Sequence, residues 1–161
     1  MTASVKQQTD MFYRFTFPLC FLLCNVTGLF AQVAPSRTAL LGTWEFRLGG
    51  MLKSFTGYTT FKSDGTCLQI GRGKALGLTS WIYVETSWRL EGDEVALSVT
   101  RSNMGLPVGK TTKEKVIRLT DSAFTYREFG DSEDRTERRV AQLPPDFQAQ
   151  LAEIQRKMNS K

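Results

Sequence analysis

From residue 42 onward, apolar residues recur at every second position rather than at helical spacing. In LGTWEFRL, Gly42, Trp44, Phe46 and Leu48 share one face while Thr43, Glu45 and Arg47 share the other, the pattern of a half-buried strand. FTGYTTFKSDGTCLQI predicts two strands about Ser63-Asp64-Gly65-Thr66, because glycine accepts the positive φ that a tight hairpin turn needs. GRGKALGLTS is glycine-bearing and predicts a mobile loop, with Arg72 and Lys74 as a candidate anion contact at a barrel mouth. In WIYVETSWRL, Ile82, Val84, Trp88 and Leu90 oppose Tyr83, Glu85, Ser87 and Arg89, which puts Tyr83 and Arg89 outward. The chain turns at Gly92-Asp93, and VALSV places Val95, Leu97 and Val99 on one face. KVIRLT, FTYREF and RTERRV follow, with turns at Asp121-Ser122 and Gly130-Asp131.

Eight short strands joined mostly by tight turns predict an all-β fold, an eight-stranded antiparallel up-and-down barrel. An open sandwich is the alternative. The period then changes. In PPDFQAQLAEIQRKM, Phe147, Leu151, Ile154 and Met158 fall on one face of a C-terminal amphipathic helix. Pro145 suits a first helical position and Asp146 the positive end of the helix dipole. The stripe is expected to pack on the barrel wall rather than on a partner.

The polar stretches change this picture little. MGLPVGKTTKEK resembles a phosphate-binding loop, but Gly105 and Gly109 are one residue too close and Pro107 removes a backbone donor. The following KEKVIRLT alternates like a strand, with β-branched Val116 and Ile117, where a phosphate loop would open a helix. No nucleotide site is expected. The 161-residue chain carries 21 Lys and Arg against 16 Asp and Glu, a net charge of +5. Its basic residues between Lys110 and Arg139 alternate with Glu114, Glu128, Glu133, Asp134 and Glu137, among other acids, which predicts a mixed, solvated surface and no nucleic-acid partner.

The chain has no histidine and three cysteines. The missing imidazole excludes a Ser-His-Asp or Cys-His pair and argues against zinc or copper, so no metal and no cofactor are expected. Glu85 and Glu128 are the carboxylates weighed for acid–base work; nothing in their spacing pairs them, and the expectation is no enzyme.

At the N-terminus, Arg14 precedes an apolar run from Phe15 to Cys24, and Leu29-Phe30-Ala31 leads to Gln32 in the manner of a signal-peptidase site. Residues 1–31 are therefore expected to be a signal peptide, with Met11 as an alternative start, and the protein to be exported to the periplasm or the extracellular space. A membrane anchor through residues 12–30 is the alternative, although Asn25 and Thr27 interrupt the run. Cys20 and Cys24 fall in this segment, which leaves Cys67 without an internal disulfide partner. Residues 32–38 then form a short linker, 39–141 the barrel and 144–159 the helix.

Gly42-Thr43-Trp44 on the first strand, an arginine on the last strand and a C-terminal helix together resemble the lipocalin pattern. FKSDGTCLQI and WRLEGDEVALSV are similar to the strand-turn-strand phrases of small exported bacterial lipocalin-like (calycin) domains. The resemblance covers most of Ala39 to Ala141, but LTDSAFTY has Thr120-Asp121 without the tyrosine that true lipocalins carry next. It implies that Trp44 closes the narrow end of the barrel under Arg138 or Arg139, as a structural pair.

Two functions follow as expectations. In the first, the barrel holds a small apolar or amphipathic ligand, with Phe61, Ile82, Val84, Trp88 and Leu97 as cavity candidates, although inward aromatics also fill small barrels. In the second, an envelope protein or inhibitor with a packed barrel meets a protein partner through loop 102–112, presenting Met104, Leu106 and Val108.

Overall fold

The computed structural model describes residues 34–50 and 53–160; the expected signal segment, 1–31, lies outside them. A one-turn helix, α1 (Arg37–Leu40), precedes β1 (Gly42–Gly50), β2 (Lys53–Phe61), β3 (Thr66–Ala75) and β4 (Leu78–Glu91). Next come β5 (Glu94–Ser102), β6 (Thr111–Leu119), β7 (Ala123–Glu128), β8 (Arg135–Val140) and α2 (Pro145–Asn159). Every strand pairs antiparallel with its sequence neighbours and β8 returns to β1, so the eight strands form a closed up-and-down barrel.

Register follows from alternation. Trp44 opposes Thr59 and Arg139, Phe61 opposes Cys67, and Trp88 opposes Leu97. These positions share the inner face because opposed residues in a ladder point the same way. One end of the lumen is packed by Leu40, Trp44, Phe61, Cys67, Trp88, Val95, Leu97, Val116, Phe124 and Tyr126. The Trp44 indole N–H donates to the Leu40 carbonyl at 2.8 Å, and the Arg139 guanidinium lies 4.1 Å from the ring centroid. That guanidinium also donates to the carbonyls of Ala39, Leu41 and Asp121, so the floor closes with its donors satisfied. Arg138, one position along, points outward to Glu45.

Arg37 and Thr38, expected in a linker, belong instead to α1. The Ser36 hydroxyl caps it by accepting from the Ala39 N–H at 3.1 Å, and Leu40 seals the floor from below. Gly71 to Ala75, expected as a mobile loop, continue β3, and the chain reverses at Leu76-Gly77 with φ of 50° and 81°. Alternation fails there because glycines carry no side chain to reveal it. Their inner faces are covered from neighbouring strands. A Cβ on Gly57 would lie 2.2 Å from the Phe46 ring, and one on Gly71 would lie 2.2 Å from the Phe55 ring. Glycine is what lets both rings lie flat across the sheet.

Helix α2 buries Phe147 and Ile154 against the outer wall. Phe147 meets Tyr58 and Ile70; Ile154 meets Leu68 and Tyr83; Trp81 and Leu151 pack beside both clusters. Fully burying such side chains stabilises by about 1.5–3 kcal/mol each. An ion pair from Arg72 to Asp146 at 2.7 Å fixes the start of the helix.

Candidate functional site

Above the packed floor the inward positions change chemistry. On β6, Val116 faces the lumen opposite Tyr126, so Glu114, two residues earlier, faces it opposite Glu128. On β8, Glu137 opposes inward Phe124, and Arg135 opposes Tyr126. Glu114 and Glu137 are thus only 5% and 2% exposed. This corrects the expectation that both belong to a solvated surface. The signal was present in Lys-Glu-Lys-Val: the parity that buries Val116 buries Glu114 as well. Charge counted along the chain hides it, because charge says nothing about facing.

These groups border a cavity of about 520 Å³ that opens at the end of the barrel away from Trp44. Phe46, Leu48 and Ile82 supply apolar lining, while Thr59, Gln69, Glu114, Tyr126 and Glu137 supply polar lining. Glu128, Asp134 and Arg135 stand at the rim, where Arg135 pairs with Asp131 at 2.8 Å and Glu128 at 3.3 Å.

Glu137 accepts two hydrogen bonds through one oxygen, from the Tyr126 hydroxyl at 3.1 Å and the Thr59 hydroxyl at 3.3 Å. Its other oxygen, Oε2, is buried with no hydrogen-bond partner among the described residues. Burial pushes the Glu137 carboxyl up to about 7, against the opposing pull of those hydroxyls and of Arg135. Burial pushes Glu114 to about 8, helped by the charges of Glu137 and Glu128. The Tyr126 phenol and the Cys67 thiol are also raised, first by burial, so both stay neutral near pH 7. Among the described residues, no group of three or more His, Cys, Asp or Glu side chains is placed to hold a metal ion.

Of the cavity candidates, Ile82 lines the opening and Val84 faces the lumen opposite Gln69. Phe61, Trp88 and Leu97 lie in the packed floor, where Phe61 and Trp88 meet edge to face at 5.0 Å. Glu85 points outward and accepts from the Tyr83 hydroxyl at 2.6 Å. The connection between β5 and β6 is tied down by Gly109 N–H to Val99 O and by Asn103, which bonds Tyr83 and Trp81; Met104 and Val108 on it are exposed.

No family model matches the chain, and no curated protein matches it. Among solved structures, the chain is similar to a lipocalin-like protein from Bacteroides uniformis ATCC 8492, at 17% identity and a TM-score of 0.43, over 63% of this chain and 99% of that one.

Proposed function

We propose that the protein is an exported binding protein that holds one small amphipathic molecule in the open half of its barrel and does no chemistry on it. The observation that carries this reading is the cavity of about 520 Å³ above a floor that is filled and satisfied. Its size and its mixed lining suit a small organic ligand: an apolar wall for the body and a few convergent polar groups for orientation. The topology also supports entry from that end. The exposed apolar residues Leu48, Leu76, Leu78, Met104, Val108 and Phe129 all lie on or beside the four connections at the open end.

Native mass spectrometry of protein purified gently from its own host tests this directly. The expected result is a discrete added mass that is lost on denaturation. Ile82→Trp, which fills the opening with an indole, should abolish that mass while leaving the far-ultraviolet circular dichroism unchanged. A bare mass in the parent protein, or an adduct equally abundant in Ile82→Trp, would overturn the reading. The bare mass would favour instead a protein partner at the exposed Met104 and Val108.

A further inference from the structure

The geometry points to a cationic ligand: we infer that the cavity takes a monoamine, its ammonium group paired with Glu137 beside Glu114 and its apolar body against Phe46, Leu48 and Ile82. This deepens the carrier reading and rests on it.

Glu137 Oε2 is the first observation. It is buried and has no partner among the described residues, and its residue lines the cavity. Natural interiors rarely leave such an acceptor unfilled, so a donor from outside the chain is the natural complement. The second observation concerns charge. The groups that face Glu137 are Glu114 from β6, Tyr126 from β7, Arg135 from β8, Thr59 from β2 and the Cys67 thiol from β3, while Glu128 from β7 faces Glu114. Arg135 is the cation in that set. It is 42% exposed and engaged at the rim by Asp131 and Glu128. Arg47, the other cation of the lining, is taken by Glu45, so among the described residues neither buried carboxyl has a cation within ion-pair distance.

The three possible charge classes of ligand fare differently there. A carboxylate would add a further negative charge to the acid pair. An alcohol would supply one donor hydrogen and no charge. An ammonium supplies three donors and the missing charge, and a charge-assisted hydrogen bond is roughly twice as strong as a neutral one. Without ligand, burial keeps Glu114 mostly protonated and Glu137 about half protonated near neutrality. When the ammonium enters, Glu137 gives up its proton to solvent and the positive charge of the ligand takes its place. Binding should thus release protons and strengthen as pH rises.

The test is isothermal titration calorimetry of the full chain with octylammonium, 1-octanol and octanoate, three probes of similar body and different charge. At about pH 8.5, octylammonium should bind on the order of tenfold or more tighter than 1-octanol, with octanoate weakest. At about pH 5.5, with the carboxyls protonated, the preference should shrink. Near pH 7, repeating the titration in buffers of different ionisation enthalpy should show protons released with octylammonium and none with 1-octanol. Glu137→Gln should remove the preference, and Glu114→Gln should reduce it. The pH arm needs no variant and so survives a folding failure in either one. Equal binding of octylammonium and 1-octanol at high pH, or an ammonium preference that persists at pH 5.5, would overturn the inference while leaving the carrier reading intact. No binding by any of the three would count against both.

Discussion

Glu45 and Glu137 lie on neighbouring strands and are both nearly out of contact with solvent, at 7% and 2% exposure. Their surroundings differ in almost every other respect. Glu45 faces the outer wall, where it accepts from Arg138 at 2.7 Å, from Arg47 at 2.9 Å and from the Tyr58 hydroxyl at 2.9 Å. Burial pushes its carboxyl up, but those three donors outweigh it and hold the group at about 2. Glu137 faces the lumen, receives two hydroxyls on one oxygen and, among the described residues, no donor on the other, and is pushed up to about 7. Burial is common to both; the partners decide the sign. Glu45 is fully paired as folded, whereas the lumen carries an acceptor and two carboxyls that, among the described residues, have no cation within ion-pair distance. That contrast is why the binding proposals concern the inside of the barrel.

The comparison breaks most visibly in alkali. Unfolded, Glu114 and Glu137 release their protons near the ordinary value of 4.5; folded, they hold them to about 8 and about 7. Between those limits the native state binds more protons than the unfolded state, so stability falls as pH rises from about 4.5 to about 8 and then levels. At ~1.4 kcal/mol per pKa unit, the two groups together should cost on the order of 6 kcal/mol at pH 9 relative to pH 5. Urea midpoints across this range should therefore decline in the parent protein. Glu114→Gln and Glu137→Gln should each flatten the decline and change little at pH 5. A parent profile that is flat from pH 5 to 9 would show that the lumen solvates these carboxyls as well as water does.

How far these features were legible in the sequence depends on whether side chains display their facing. Trp44, Phe46 and Leu48 alternate openly, and Asp64-Gly65 marks a turn by its own chemistry, so strands, hairpins and barrel closure could be read in order. The helix stripe from Phe147 to Met158 was legible for the same reason. The end of β3 was not, because Gly71 and Gly73 offer no side chain and are covered by Phe55 from the next strand. Glu114 and Glu137 were hidden differently. Each sits among basic residues that truly are exposed; parity with Val116 marks Glu114 on its own strand, whereas only the register against Phe124 reveals that Glu137 turns inward. Pairing across strands is long-range information. A single strand does not contain it.

The outer wall supplies the opposite limb of the comparison. Because Glu45 is held at about 2, its contribution is present above the ordinary carboxylate value of 4.5 and is lost as pH falls toward 2. Arg47 and Arg138 are each 69% exposed, so solvent screens both pairs and the effect is modest, about 1 kcal/mol. Glu45→Gln should shallow the acid limb of the stability profile and leave the alkaline limb unchanged. Glu137→Gln should do the reverse. If both variants altered the same limb, the contrast between wall and lumen would fail.

The smallest expected effect sharpens the comparison at a single hydroxyl. Thr59 donates to Glu137 at 3.3 Å, long for a hydroxyl-to-carboxylate bond, while Tyr126 donates to the same oxygen at 3.1 Å. Thr59→Val keeps the shape of a residue that is 2% exposed and removes only the donor. The ionised form of Glu137 then loses one of its two supports, so its carboxyl should titrate about half a pKa unit higher. The barrel should lose about 0.5 kcal/mol, and only above pH 7, where ionisation of Glu137 is at stake. Carbon-detected nuclear magnetic resonance of the glutamate side-chain carboxyls can follow this titration in parent and variant side by side. A Glu137 curve that does not move would assign its ionised state to Tyr126 and the rim charge of Arg135, and would remove Thr59 from the polar lining that shapes a ligand's fit. An upward shift, with Glu45 unmoved in the same spectra, would show that in the lumen even one neutral donor changes the balance that two arginines and a tyrosine settle on the wall.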